Sequence, residues 1–124
     1  MVFVHKTAII GSNVVIGSNV SIGPYTVIDD NVKIANDNVI KSSVYITGNT
    51  DIGNGNIFHP FSSIGSPPQD LKFENEVTNL IIGSNNIFRE HTTVNVGTKG
   101  GGGTTKIGDN SLFMIGAHIA HDCI

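Results

Sequence analysis

Apolar side chains return along this chain at every sixth residue. Starting at Ile10, the steps land on Ile16, Ile22, Ile28, Ile34, Ile40, Ile46, Ile52, Phe58 and Ile64 without a gap. The pattern pauses, returns at Ile82, Phe88 and Val94, pauses again, and resumes at Ile107, Phe113 and Ile119. Every one of these frame positions is Ile, Phe or Val in a chain that is only 39% apolar, so the period is not an accident of composition. An amphipathic helix would repeat its apolar face every 3.6 residues and a plain strand would alternate. A period of six fits a short strand followed by a tight corner.

Two further columns support that reading. Four residues beyond the frame stand Val14, Val20, Thr26, Val32, Asn38, Val44, Thr50, Asn56 and Ser62, which lets the next face close over them. Glycine follows the frame residue at Gly11, Gly17, Gly23, Gly53, Gly65, Gly83 and Gly108, and Asn or Asp recurs nearby at Asn13, Asn19, Asp30, Asn31 and Asn85. These residue types accept the positive φ of a tight corner. Three strand-corner units make an eighteen-residue triangular coil, and coils stack at about 4.8 Å, the spacing of paired strands. Coil starts at Ile10, Ile28, Ile46, Ile64, Ile82 and Ile107 predict an all-β parallel β-helix of about six coils, one solenoid domain over residues 1–124. Spacing alone does not set the hand, since the usual crossover rule favours right-handed connections.

Composition narrows the function classes. There is no Trp, aromatic residues make up 6% and charged residues 14% of the 124, so a helical bundle is disfavoured. The formal charge of -3 and a pI near 5.9 offer no basic surface for nucleic acid. Cys123 is the single cysteine, which excludes an intrachain disulfide and reads as a buried, inert thiol. No basic stretch followed by an apolar run opens the chain, and no apolar run reaches the ~20 residues of a membrane span. The expectation is a soluble, cytoplasmic protein with no membrane span.

A solenoid accepts insertions only at corners, where function tends to sit. The first interruption carries Pro67-Pro68 and then Gln69-Asp70-Leu71-Lys72-Phe73, a polar stretch that cannot lie inside the prism. The second holds Gly100-Gly101-Gly102-Gly103. It lacks the strand-loop-helix setting and Gly-Lys-Ser/Thr ending of a phosphate-binding loop, and is expected to be a flexible arm reaching a neighbouring subunit. The third feature is Gly116-Ala117-His118-Ile119-Ala120-His121-Asp122-Cys123. Ile119 is the inward frame residue, so His118 points outward, and His121 falls near a corner. An exposed imidazole beside a carboxylate suits a general base.

Taken together, the hexad frame, Gln69-Asp70-Leu71-Lys72-Phe73, the glycine-rich loop and His118-Ile119-Ala120-His121-Asp122-Cys123 resemble the acyl carrier protein–UDP-N-acetylglucosamine O-acyltransferase family. Hexads alone are shared with many acetyltransferases, the sister N-acyltransferase and γ-class carbonic anhydrases; the two motifs at this spacing are specific. The resemblance implies a left-handed coil and a trimer with its pocket between subunits. It implies that His121 removes the proton from the glucosamine 3-hydroxyl, with Asp122 supporting the imidazole. It further implies that Gln69, Asp70, Lys72 and His118 line the sugar-nucleotide pocket. The acyl donor is a 3-hydroxyacyl thioester on acyl carrier protein, and neither metal nor organic cofactor is implied. Acyl-chain length and an oxygen or nitrogen acceptor stay open.

The chain departs from the family in two ways. Val96 stands where members often carry Arg. Members are also about twice as long, with further coils and a C-terminal helical domain, so this chain corresponds to the N-terminal half. By itself it is expected to be poorly soluble and weakly active. A non-catalytic solenoid fragment is the second reading. A zinc enzyme like the γ-class carbonic anhydrases is a distant third, since His91, His118 and His121 are poorly spaced for one metal.

Overall fold

The computed structural model describes residues 2–66, 79–97 and 103–119. Seventeen short strands form three parallel sheets, one for each face of a triangular prism. The first face stacks β1 (Val2–Val4), β4 (Val20–Ile22), β7 (Val39–Ile40), β10 (Ile57–Phe58), β13 (Ile87–Phe88) and β16 (Leu112–Phe113). The second stacks β2 (Ile9–Ile10), β5 (Val27–Ile28), β8 (Tyr45–Ile46), β11 (Ser63–Ser66), β14 (Thr93–Asn95) and β17 (His118–Ile119). The third stacks β3 (Val15–Ile16), β6 (Lys33–Ile34), β9 (Asn49–Ile52), β12 (Asn79–Ile82) and β15 (Thr104–Ile107). Among the described residues this makes five full coils and two strands of a sixth.

Each frame residue pairs with the frame residue of the next coil. Ile22, Ile40, Phe58, Phe88 and Phe113 form one ladder, Ile28, Ile46, Ile64, Val94 and Ile119 another, and Ile34, Ile52, Ile82 and Ile107 the third. Neither insertion disturbs this inner alignment. The three ladders make up most of the core, joined by Val20, Val32, Val44, Leu80 and Val96: frame residues from Ile22 to Ile107 are buried, while Ile10, Ile16, Phe113 and Ile119 in the outer coils are half-buried. On the first face, Phe58, Phe88 and Phe113 stack ring on ring, 4.8 and 4.9 Å apart and nearly parallel. That separation is the rise of the coil, so the solenoid imposes a stacked geometry that isolated aromatic pairs adopt only with an offset.

The corners divide labour between residue types. The left-handed conformation falls three residues after the frame, at Asn13, Asn19, Tyr25, Asn31, Asp37, Ser43, Phe61, Asn85, His91 and Asn110, with φ between 56 and 68°. Of the glycines just after the frame, only Gly65 has positive φ, which corrects the expectation that corner geometry explains them all. Gly11, Gly17, Gly23, Gly53 and Gly83 answer to space. A Cβ on Gly53 would stand 2.6 Å from the Gly83 carbonyl oxygen, and one on Gly23 2.7 Å from that of Lys41. Coils stack backbone on backbone there, leaving no room for a methyl group.

At the corner joining the third face to the first, buried Asn38, Asn56 and Asn86 form a ladder. The Oδ1 of each accepts the backbone N–H one coil on, from Asn56, Asn86 and Ser111, at 2.8, 2.9 and 2.9 Å. Their amide groups donate to the carbonyls of Gly53, Gly83 and Gly108. These amides are buried because each finds partners on the adjoining coil.

Candidate functional site

Both interruptions open from the corner between the second and third faces. Strand β11 ends at Ser66 and β12 begins at Asn79; β14 ends at Asn95 and β15 begins at Thr104. Strand β17, which precedes His121 and Asp122 in sequence, is the next on the second face. Three consecutive strands of one face therefore lead into the three segments that the sequence marks for chemistry.

The corner is built to release chain. Between β11 and β14 the register slips: Ile64 faces Val94, but Ser66 faces Asn95, so Gly65 is bulged. Gly65 has φ 84°, and a Cβ on it would collide with the Thr47 carbonyl, so glycine is required for both shape and space. The gap is tied across its mouth. The Val96 amide donates to the Ser66 carbonyl at 3.2 Å, and the Gly97 amide to the Asn79 carbonyl at 3.1 Å. Val96 itself is 5% exposed and joins the core, packing over Gly48. An arginine at this place would have to leave the core.

Outward side chains of the second face form a column in register: Val27, Tyr45, Ser63, Thr93 and His118. His118 is exposed, as alternation predicts, and its Nδ1 lies 2.6 Å from the Thr93 hydroxyl. The Ser63 and Ser66 hydroxyls are 2.8 Å apart. Lower on the face, Tyr45 and Thr47 donate their hydroxyls to Asp29 Oδ2 at 2.6 and 2.7 Å. Asp29 as acceptor raises the Tyr45 phenol above its usual range, with Thr47 pulling the other way. At the last described coil a recess of about 340 Å³ is lined by Ile107, Phe113 and Ile119 together with Lys106 and His118.

Of the residues singled out from sequence, His118 stands on this face; Gln69, Asp70, Lys72, His121, Asp122 and Cys123 lie outside the described residues. His91 stands at another corner, between the first and second faces, stacked on Phe61 at 5.5 Å. Among the described residues no group of three His, Cys, Asp or Glu side chains is arranged to hold a metal, and no helix is long and apolar enough to cross a membrane. Reading from sequence missed Thr93 and the Asp29–Tyr45–Thr47 cluster. Thr93 belongs to the column of residues before each frame position, which meets His118 only once the second insertion is subtracted; Asp29 and Thr47 follow the frame residues Ile28 and Ile46, eighteen residues apart.

Residues 1–30 match the bacterial transferase hexapeptide (six repeats) family. An acyl-[acyl-carrier-protein]–UDP-N-acetylglucosamine O-acyltransferase of Rickettsia bellii is 54% identical over 121 residues, 97% of this chain and 43% of that protein. LpxA from Acinetobacter baumannii superposes with a TM-score of 0.97 at 45% identity, over 98% of this chain and 47% of that one. Over nearly its whole length the chain matches a fragment of this O-acyltransferase. The corresponding enzyme of Moraxella catarrhalis gives a TM-score of 0.95 at 44% identity, over 97% of this chain and 47% of that one. A coil of opposite hand would not superpose so closely, and the fold is the left-handed parallel β-helix of the family. The chain spans a little under half the length of these relatives.

Proposed function

We propose that this chain takes part in moving a 3-hydroxyacyl group from acyl carrier protein to the glucosamine 3-hydroxyl of UDP-N-acetylglucosamine, the first step of lipid A biosynthesis. The observation that carries the reading is the stacking of β11, β14 and β17 on one face, the strands that immediately precede the two insertions and the His-Asp segment in sequence. In this reading His121 takes the proton of the 3-hydroxyl as its oxygen attacks the thioester carbonyl. The tetrahedral intermediate then collapses, and the carrier leaves as a thiol carrying that proton. Asp122 steadies the imidazolium, Lys72 offsets phosphate charge, and Gln69, Asp70 and His118 receive the sugar. The thioester already supplies an activated acyl group, so the transfer asks for neither metal nor organic cofactor. The working form is a cytoplasmic homotrimer with its pocket between subunits.

The test combines this chain with UDP-N-acetylglucosamine and 3-hydroxyacyl carrier proteins of several lengths. O-acylated sugar nucleotide is the expected product, formed slowly, and His121→Ala should lower the rate by at least about a hundredfold. Calorimetry should show UDP-N-acetylglucosamine binding that weakens in Lys72→Ala. Turnover indifferent to His121→Ala refutes the base; absence of both binding and product refutes the whole reading.

A further inference from the structure

We propose that Thr93 is a positioning residue that fixes the tautomer of His118 and makes its imidazole a hydrogen-bond donor rather than a second base. Thr93 and His118 face each other across the paired strands β14 and β17, twenty-five residues apart in sequence and one coil apart in space. Both precede a frame residue, Val94 and Ile119, so both side chains leave the prism on the same side. The Thr93 amide donates to the Ala117 carbonyl at 2.9 Å, which holds the two strands in register up to the residue before His118. A β-branched side chain in a strand has few rotamers, so the place of Oγ1 is set before the ring arrives. Contact at 2.6 Å with Nδ1 then fixes the ring's orientation and leaves Nε2 as the ring nitrogen that Thr93 does not hold.

The direction of that hydrogen bond decides the chemistry. A threonine hydroxyl always carries a proton and rotates to deliver it, whereas neutral imidazole carries one proton on two nitrogens. Free neutral imidazole side chains favour the Nε2–H form, and donation from Thr93 to Nδ1 reinforces that preference. His118 then presents an N–H to an acceptor-rich ligand such as a sugar hydroxyl or a pyrophosphate oxygen. Two imidazoles three residues apart thereby divide the work: His118 donates, and the base role falls to His121. This consequence for ligand binding rests on the function proposed above; the assignment of the tautomer does not.

The test uses the full chain and two substitutions. Thr93→Val keeps shape and strand preference but removes the hydroxyl, and Thr93→Ser restores the hydroxyl on a smaller side chain. Nitrogen NMR shifts of the neutral His118 ring should show Nε2–H in the parent and in Thr93→Ser, and averaging between tautomers in Thr93→Val. UDP-N-acetylglucosamine affinity should fall about tenfold in Thr93→Val and recover in Thr93→Ser. A ring protonated on Nδ1 in the parent overturns the proposal, as does a His118 spectrum unchanged by Thr93→Val. If the parent fails to bind the sugar nucleotide, the proposed function falls while the ring spectra still decide the role of Thr93.

Discussion

Single residues in this solenoid are constrained chiefly by the coil next to them. Gly53 shows this most simply: nothing in its own backbone angle demands glycine, yet the Gly83 carbonyl occupies the place of a methyl group. Gly53→Ala should therefore destabilise the chain by about 1–3 kcal/mol through forced separation of two coils, read as a lower denaturant midpoint. His59 carries a second consequence of stacking. Burial, followed by the nearby charge of Lys41, holds its imidazole below the ordinary histidine range, while Glu90, 4.0 Å away, works against them. The unfolded chain thus binds this proton more tightly than the folded one. The resulting stability is complete above the unfolded value, about pH 6.5, and is lost as pH falls through the lower folded value. In an NMR titration, Glu90→Gln should lower the His59 pKa further and Lys41→Met should raise it. Movement of either in the opposite direction would contradict the charge arrangement.

At the scale of elements, strands of two to four residues cannot stand alone; each is held by the strand above and the strand below. Phe88 is fully buried between Phe58 and Phe113, so it has an aromatic partner on both sides. Phe88→Ala should cost about 3–5 kcal/mol, and Phe88→Leu distinctly less, as measured by chemical unfolding. The buried Asn ladder makes the complementary case for polar groups. Asn56→Ala leaves the Asn86 amide and the Gly83 carbonyl without their partners, with an expected loss of about 1–3 kcal/mol. The hexad frame made the inner ladders legible from the spacing of apolar residues alone. The Asn ladder was visible as residue types without its meaning, because its hydrogen bonds join residues 15 to 30 apart.

For the whole molecule, a one-dimensional core makes stability depend on position along the axis. Ile40 is 1% exposed with coils on both sides, whereas Ile10 is only half-buried. Ile40→Ala should cost about 2–5 kcal/mol, and Ile10→Ala less than half as much. Equal losses at the two positions would show that the coils do not act through their nearest neighbours. The same stacking explains how strands far apart in sequence, β11, β14 and β17, come to share one face of the prism. Insertions at one corner of successive coils leave the inner ladders aligned, so loops can vary there while the scaffold beneath them keeps its register.

From its sequence alone the chain disclosed the period, the inward residues, the sites of interruption and the resemblance to the O-acyltransferases. All of these reside in local spacing or in contiguous motifs, which need no knowledge of what stacks on what. Only the tertiary structure assigned both insertions to a single corner, distinguished glycines needed for space from residues needed for positive φ, and brought Thr93 against His118. Those properties belong to contacts between coils, whose separation in sequence shifts from 18 to 30 to 25 residues as insertions intervene. A repeat read along the chain cannot see them until the coils are laid one upon another.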